Sequence, residues 1–122
     1  VEKYFKDIDK IFERSDLIIS RSGASTVCEI LASRRPSILV PLPNSLDNHQ
    51  FQNAFELKNH RASHLIEQKD FSANNLSKVL KEYILNKQIL LEMADNARLL
   101  YKGGSSEKII NLALSTLKGN NR

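Results

Sequence analysis

The chain holds 122 residues, 41% of them hydrophobic and 26% charged, a balance that suits one small globular domain and excludes a disordered composition. The net charge of +4 is mild, and only Arg34 and Arg35 stand side by side among scattered bases and acids. A nucleic-acid stripe would gather basic side chains on one face with aromatics between them, so no nucleic-acid partner is expected.

The longest apolar runs, at 17–19 and 38–40, are strand-sized and fall far short of the roughly 18 to 20 residues of a membrane span. The charged opening after Val1 carries no signal-peptide pattern, and a start without Met reads as a piece of something longer. A lone cysteine, Cys28, leaves no internal disulfide and no metal cluster. Set between Val27 and Glu29 in a helix-like run, it reads as a buried, inert thiol in a reducing, cytoplasmic setting.

In chain order, residues 7–14 read as a short helix with Ile8, Ile11 and Phe12 on one side, and residues 2–5 as an optional first strand. Residues 17–20 form an apolar run of the buried parallel type. A helix follows over 24–33, with Val27, Ile30 and Leu31 aligned. Pro36 ends the connection, and 37–40 is a second buried strand. Pro41 and Pro43 punctuate a loop to Asp47, which is placed to cap a helix over 49–59. Residues 63–66 make a third, shorter strand. Ser72 suits the N-cap of a helix over 75–85, and 88–101 forms another. Gly103-Gly104-Ser105 breaks the pattern before a last helix over 107–117, and 119–122 is a frayed tail.

Strands alternating with helices predict an α/β fold, a parallel sheet with flanking helices, spanning 1–122 as a single domain. A sheet of three or four strands leaves apolar edges that larger folds cover. The pattern therefore reads as the latter half of a doubly wound domain, open to self-association through an exposed sheet edge.

The turn after the first strand, Arg21-Ser22-Gly23-Ala24-Ser25-Thr26, lies where open α/β sheets bind ligands, at the carboxyl ends of the strands. A helix start offers unpaired N–H groups and partial positive charge. Gly23 permits a sharp turn and close ligand approach, while Ser25 and Thr26 add hydroxyls. Two readings stand on these residues alone: a diphosphate cradle, or a plain helix start capped by Ser22 or Ser25. Glu29, four residues past Ser25 on the same helix face, suits a ribose diol better than phosphate; as an isolated acid it also reads as solvated surface.

The second polar cluster runs from Ser45 to Ala54. Asp47, Asn48, His49, Gln50 and Asn53 place several donors and acceptors within about two helical turns, a density that suits a sugar. With no partner acid at clear spacing, His49 reads as a donor before a general base.

Three segments, DLIISRSGASTVCEI (16–30), PSILVPLP (36–43) and DNHQFQNA (47–54), resemble the MurG family of glycosyltransferases. That family transfers N-acetylglucosamine from UDP-N-acetylglucosamine (UDP-GlcNAc) to a lipid-linked muramyl-pentapeptide in peptidoglycan synthesis. The likeness is close across 4–68 and looser through the C-terminal helices. It implies a GT-B fold of two Rossmann-like domains, this chain being the latter part of the C-terminal, donor-binding one. By that likeness Ala24, Ser25 and Thr26 lie along the diphosphate, Glu29 holds the ribose hydroxyls, and His49 and Gln50 read the sugar. Phe5 falls where the family reads uracil through the backbone, with Arg21, Gly23 and Asn53 in support. The family often has Gln where this chain has His49.

The resemblance further implies no cofactor and no essential metal, and no catalytic residue within this chain, since the acceptor site and base belong to the N-terminal domain. The chain alone is then expected to be inactive. The intact enzyme would work on a lipid-linked acceptor at the inner face of the cytoplasmic membrane. Two other readings remain: a non-catalytic UDP-sugar-binding module served by a separate N-terminal-domain partner, or an inactive α/β remnant.

Overall fold

The computed structural model describes residues 16–102. Phe5, the strand expected at 2–5 and the helices expected at 7–14 and 107–117 lie outside these residues. The described chain runs β1 (Ile18–Ser20), α1 (Ala24–Ser33), β2 (Ser37–Leu39), α2 (His49–Asn59), β3 (His64–Leu65), α3 (Ala73–Leu85) and α4 (Lys87–Lys102). Short 3-10 turns at Leu46–Asn48 and Gln68–Asp70 complete it.

The strands are parallel in the order β1-β2-β3, with Ile18 opposite Ser37, Ile38 opposite His64 and Leu39 opposite Leu65. Each strand is a residue or two shorter than its apolar run, because the run continues past the ladder as buried chain. Val40 N–H still donates to the Ser20 carbonyl at 2.8 Å, and Ile66 N–H to that of Leu39 at 3.0 Å.

β2 is buried on both faces, as a central parallel strand must be. Leu39 joins Ile18, Val27, Ile30, Leu31 and Leu57 in one core, beneath α1 and α2. Ile38 points the other way, to Ile66, Tyr83 and Met93, with Val79, Leu80 and Ile89 packed around them. α3 covers this second face. α4 feeds both cores, Met93 into the second and Ala97 and Leu100 into the first.

The helix boundaries follow local chemistry. α1 and α2 occupy the spans expected from their sequence. α1 ends at Arg34, which adopts the left-handed φ of 58° and donates its N–H to Ile30 O at 3.0 Å. Ser72 caps α3, its hydroxyl accepting from Asn75 N–H at 3.1 Å. This cap starts α3 two residues ahead of expectation. Asn86, at φ −134°, is the single non-helical residue between α3 and α4. Beneath the sheet's lower end the Ser37 hydroxyl donates to Ser63 Oγ at 2.8 Å, and Ser63 returns a bond to the Ser37 carbonyl at 3.0 Å.

Candidate functional site

α1 begins at the carboxyl end of β1 with no side-chain cap and no acid in its first turn. Neither Ser22 nor Ser25 caps it, so the plain capping reading is corrected. Ser22 is fully buried, and its hydroxyl donates instead to the Gln50 carbonyl at 2.6 Å. The first backbone bond of the helix runs from Val27 N–H to Gly23 O, 3.0 Å. The N–H groups of Ala24, Ser25 and Thr26 therefore have no acceptor within the helix, and they carry the positive end of its dipole.

Gly23 does not make the turn by special backbone freedom, contrary to expectation. Its φ of −66° and ψ of 161° suit any residue. A Cβ there would stand 3.7 Å from Gln50 Nε2, an ordinary contact. What glycine leaves at this point is an uncovered approach to the helix start. Ala24 is buried, Ser25 exposed and Thr26 half-buried, with Glu29 half-buried one turn on. No ion pair or hydrogen bond joins Glu29 to another described residue.

The loop after β2 approaches the same edge. It holds Asn44 at φ 59°, Asp47 at φ 49° and Asn48 at φ 59°, all in the left-handed region that Asn and Asp tolerate better than most residues. Asp47 does not cap α2. The N-cap is Asn48, which makes no side-chain bond and holds a left-handed φ of 59° rather than the extended conformation usual for a capping residue. The Asp47 carboxylate instead stands 3.8 Å from His49 Nε2, so His49 does have an acid beside it. The other ring nitrogen, Nδ1, is buried without a hydrogen-bond partner.

Gln50 is held at three points. Its N–H donates to Ser45 Oγ at 3.2 Å, its carbonyl accepts from Ser22, and its side-chain Oε1 accepts from Leu42 N–H at 2.9 Å. Asn53, fully buried, donates from Nδ2 to the Ser22 carbonyl at 3.1 Å, while its Oδ1 is buried without a partner. Arg21 spans the ends of β1 and β2, with Nη1 at 3.3 Å from Val40 O and 3.4 Å from Pro41 O. A cavity of about 450 Å³ opens beside it, lined by Ile19, Ser20, Arg21, Val40, Gln68 and Phe71.

The fold thus brings Arg21, Gly23, Gln50 and Asn53 together at the start of α1. It turns the buried Ser22 hydroxyl, expected as a cap, into a tie to α2, and it adds the Leu42 amide, which sequence reasoning missed. Neither has a sequence signal beyond proximity to Gly23 and Pro41, since both act through the tertiary approach of α2. Cys28 is half-buried rather than buried, and that burial, and then the neighbouring Glu29, pushes its thiol up from its ordinary value, which favours the protonated form. Among the described residues no three His, Cys, Asp or Glu side chains gather as metal ligands, and no helix is long and apolar enough to cross a membrane.

A family profile described as the glycosyltransferase family 28 C-terminal domain matches residues 1–112. The chain belongs to this family. Its curated relatives include proteins of Pseudomonas fluorescens, 36% identical over 98% of this chain, and of Vesicomyosocius okutanii, 37% identical over 93%. Both are named UDP-N-acetylglucosamine–N-acetylmuramyl-(pentapeptide) pyrophosphoryl-undecaprenol N-acetylglucosamine transferase. The family 28 domain described here spans 33% of each of them. The crystal structure of Acinetobacter baumannii MurG superposes with a TM-score of 0.72 at 31% identity, covering 90% of this chain and 31% of that one. The likeness to MurG read from the three sequence segments therefore stands. The parallel sheet with flanking helices is that of the MurG C-terminal GT-B domain.

Proposed function

We propose that this chain is the donor-binding part of a MurG-type inverting glycosyltransferase that uses UDP-N-acetylglucosamine. The observation that carries this reading is the start of α1, uncapped and free of acids, with a side-chain amide from α2 set beside Gly23. Such a helix end favours a diphosphate by charge and by its free N–H groups. Along the donor, Ala24, Ser25 and Thr26 hold the diphosphate, Glu29 accepts from the ribose hydroxyls, and His49 and Gln50 lie toward the sugar. Phe5 meets the uracil through its backbone, and Arg21, Gly23 and Asn53 fix the frame.

In the reaction an acceptor hydroxyl oxygen bonds to the anomeric carbon as the bond from that carbon to the diphosphate oxygen breaks. UDP leaves with the electron pair, and the α1 N-terminus stabilises the charge that grows on it. The proton of the acceptor hydroxyl passes to a base outside this chain. The lipid-linked acceptor would be held by the remaining two-thirds of the length that the relatives possess, at the inner face of the cytoplasmic membrane. The chain alone binds donor without transferring sugar. Because it spans a third of those relatives, a second polypeptide carrying the acceptor half is the alternative source of that site.

Calorimetric titration of UDP and UDP-GlcNAc into the chain, beside a Glu29→Ala variant, tests the reading. Saturable binding that weakens in the variant is expected. A folded chain that binds neither ligand overturns it.

A further inference from the structure

Among the described residues the sheet ends at β3, so one side of that strand's backbone has no ladder partner. Ile66 N–H donates across the ladder to Leu39 O at 3.0 Å. Backbone groups alternate sides along a strand, so Leu65, between His64 and Ile66, turns its N–H and its C=O outward. Glu67 continues the extended backbone at φ −71° and ψ 150°, and its N–H faces the same way. A cavity of about 330 Å³ lies against this edge. Lys58 of α2 and Val79 of α3 wall it, Leu65 and Ile66 floor it, and Glu67 and Asp70 close its upper end. α2 and α3 cover opposite faces of the sheet, so a cavity that touches both passes round the free edge of β3.

An edge strand is ordinarily blunted by a lysine, a proline or a bulge, and β3 has none of these at Leu65. Outward N–H and C=O groups between side-chain walls suit another extended backbone, which adds to an edge at about 4.8 Å. The slot admits a single chain, whereas a second copy would bring its own helices against α2 and α3. Charge is divided along it. Lys58, exposed near the end of α2, has no carboxylate partner among the described residues, and its ammonium lies 5.6 Å from the Phe55 ring centroid. Glu67 and Asp70 stand exposed at the other end, while Lys69 lines the neighbouring cavity instead. We propose that the β3 edge is a strand-addition site for an extended segment of a partner polypeptide. The segment runs antiparallel to β3, the stronger of the two pairings. It sets a basic side chain at Glu67 and Asp70, an aliphatic one against Leu65, Ile66 and Val79, and an acidic one toward Lys58. The site lies apart from the start of α1 and does not rest on the donor-site reading.

The probe is the capped peptide acetyl-Lys-Thr-Val-Thr-Glu-amide, titrated into the isotope-labelled wild-type chain and followed by amide NMR. Saturable binding is expected, with the largest shifts at the Leu65 and Glu67 amides. N-methylation of the central valine and, separately, of the threonine before it distinguishes backbone pairing from loose apolar contact. One of these adjacent amides faces β3 and the other faces away. One methylated peptide should therefore lose about tenfold or more in affinity, and the other should bind nearly as the parent does. Lys58→Glu and Asp70→Lys, both at exposed positions, should each weaken binding by about two- to fivefold. No saturable shift at Leu65, or equal binding by the parent and both methylated peptides, overturns the proposal. So does concentration-dependent protection of Leu65 N–H from exchange in the chain alone, which would give the edge to a second copy.

Discussion

The Ser22 hydroxyl donates to the Gln50 carbonyl at 2.6 Å, and Asn53 donates back to the Ser22 carbonyl at 3.1 Å. Two helices that begin 25 residues apart in sequence are thereby locked start to start. Ser22→Ala removes the second donor of a half-buried helix carbonyl, and the expected cost is that of one hydrogen bond, about 0.5 to 1.5 kcal/mol of stability. Urea unfolding measures it. Because Ser22 and Asn53 share one network, Ser22→Ala combined with Asn53→Ala should cost less than the two single losses added together.

Gly23→Ala separates stability from ligand access. Alanine at an N-cap is poorer than glycine, while it also lowers the entropy of the unfolded chain, so the two effects oppose each other. The net change in stability is within about 1 kcal/mol. The added methyl group nonetheless fills the approach to the helix start. UDP binding should fall by about tenfold or more, a loss of at least about 1.4 kcal/mol. A calorimetric titration beside a melting curve reads both. An unchanged UDP affinity would mean that the donor does not approach over Gly23.

Two titratable groups, half-buried His64 and buried Tyr83, pack against each other on the second face of the sheet. The His64 and Tyr83 rings meet edge to face with centroids 6.0 Å apart. Burial pushes the His64 imidazole below its ordinary 6.5, against an upward pull from Glu82 and with a further downward push from Lys58. The unfolded chain takes up this proton first as the pH falls. The stability that neutral His64 confers is thus complete above pH 6.5 and is lost as the pH drops through the lower, folded value. Burial, with Glu82 adding to it, pushes Tyr83 from 10.0 up to about 12. Its contribution is complete below pH 10.0 and is lost as the pH rises through about 12. Urea midpoints across the pH range should fall at both ends. His64→Asn should flatten the acid limb and leave the alkaline one.

Arg34 closes α1 with a φ of 58°. A side chain in the left-handed region carries strain that glycine avoids, and glycine is the usual residue after a helix end. Arg34→Gly is expected to raise stability by up to about 1 kcal/mol, less the entropy that glycine loses on folding. Thermal melting checks it.

The helices were legible because their signals are local. The spacing of Val27, Ile30 and Leu31 fixes α1, and Ser72 marks the start of α3. The strands were legible as apolar runs, but their ends were not, since pairing stops where the neighbouring strand stops rather than where the apolar run does. The site was legible in part. Its residues stood out by type and by place after a strand, yet the partner of each hydroxyl and amide depends on how α2 sits against α1. Ser22 looked like a cap and is a tie between helices. Asp47 looked like a cap and sits beside His49, because the left-handed conformations of Asp47 and Asn48 have no clear signature in the sequence.

α4 adds a consequence for how the chain comes apart. One turn of it sends Met93 to the far side of the sheet, and the next turns send Ala97 and Leu100 to the near side. Neither half of the interior can melt while α4 stays docked, and α4 cannot leave without opening both. Hydrogen exchange should therefore report a single cooperative unit, with amides of β2 and of the middle of α4 released together at the same free energy.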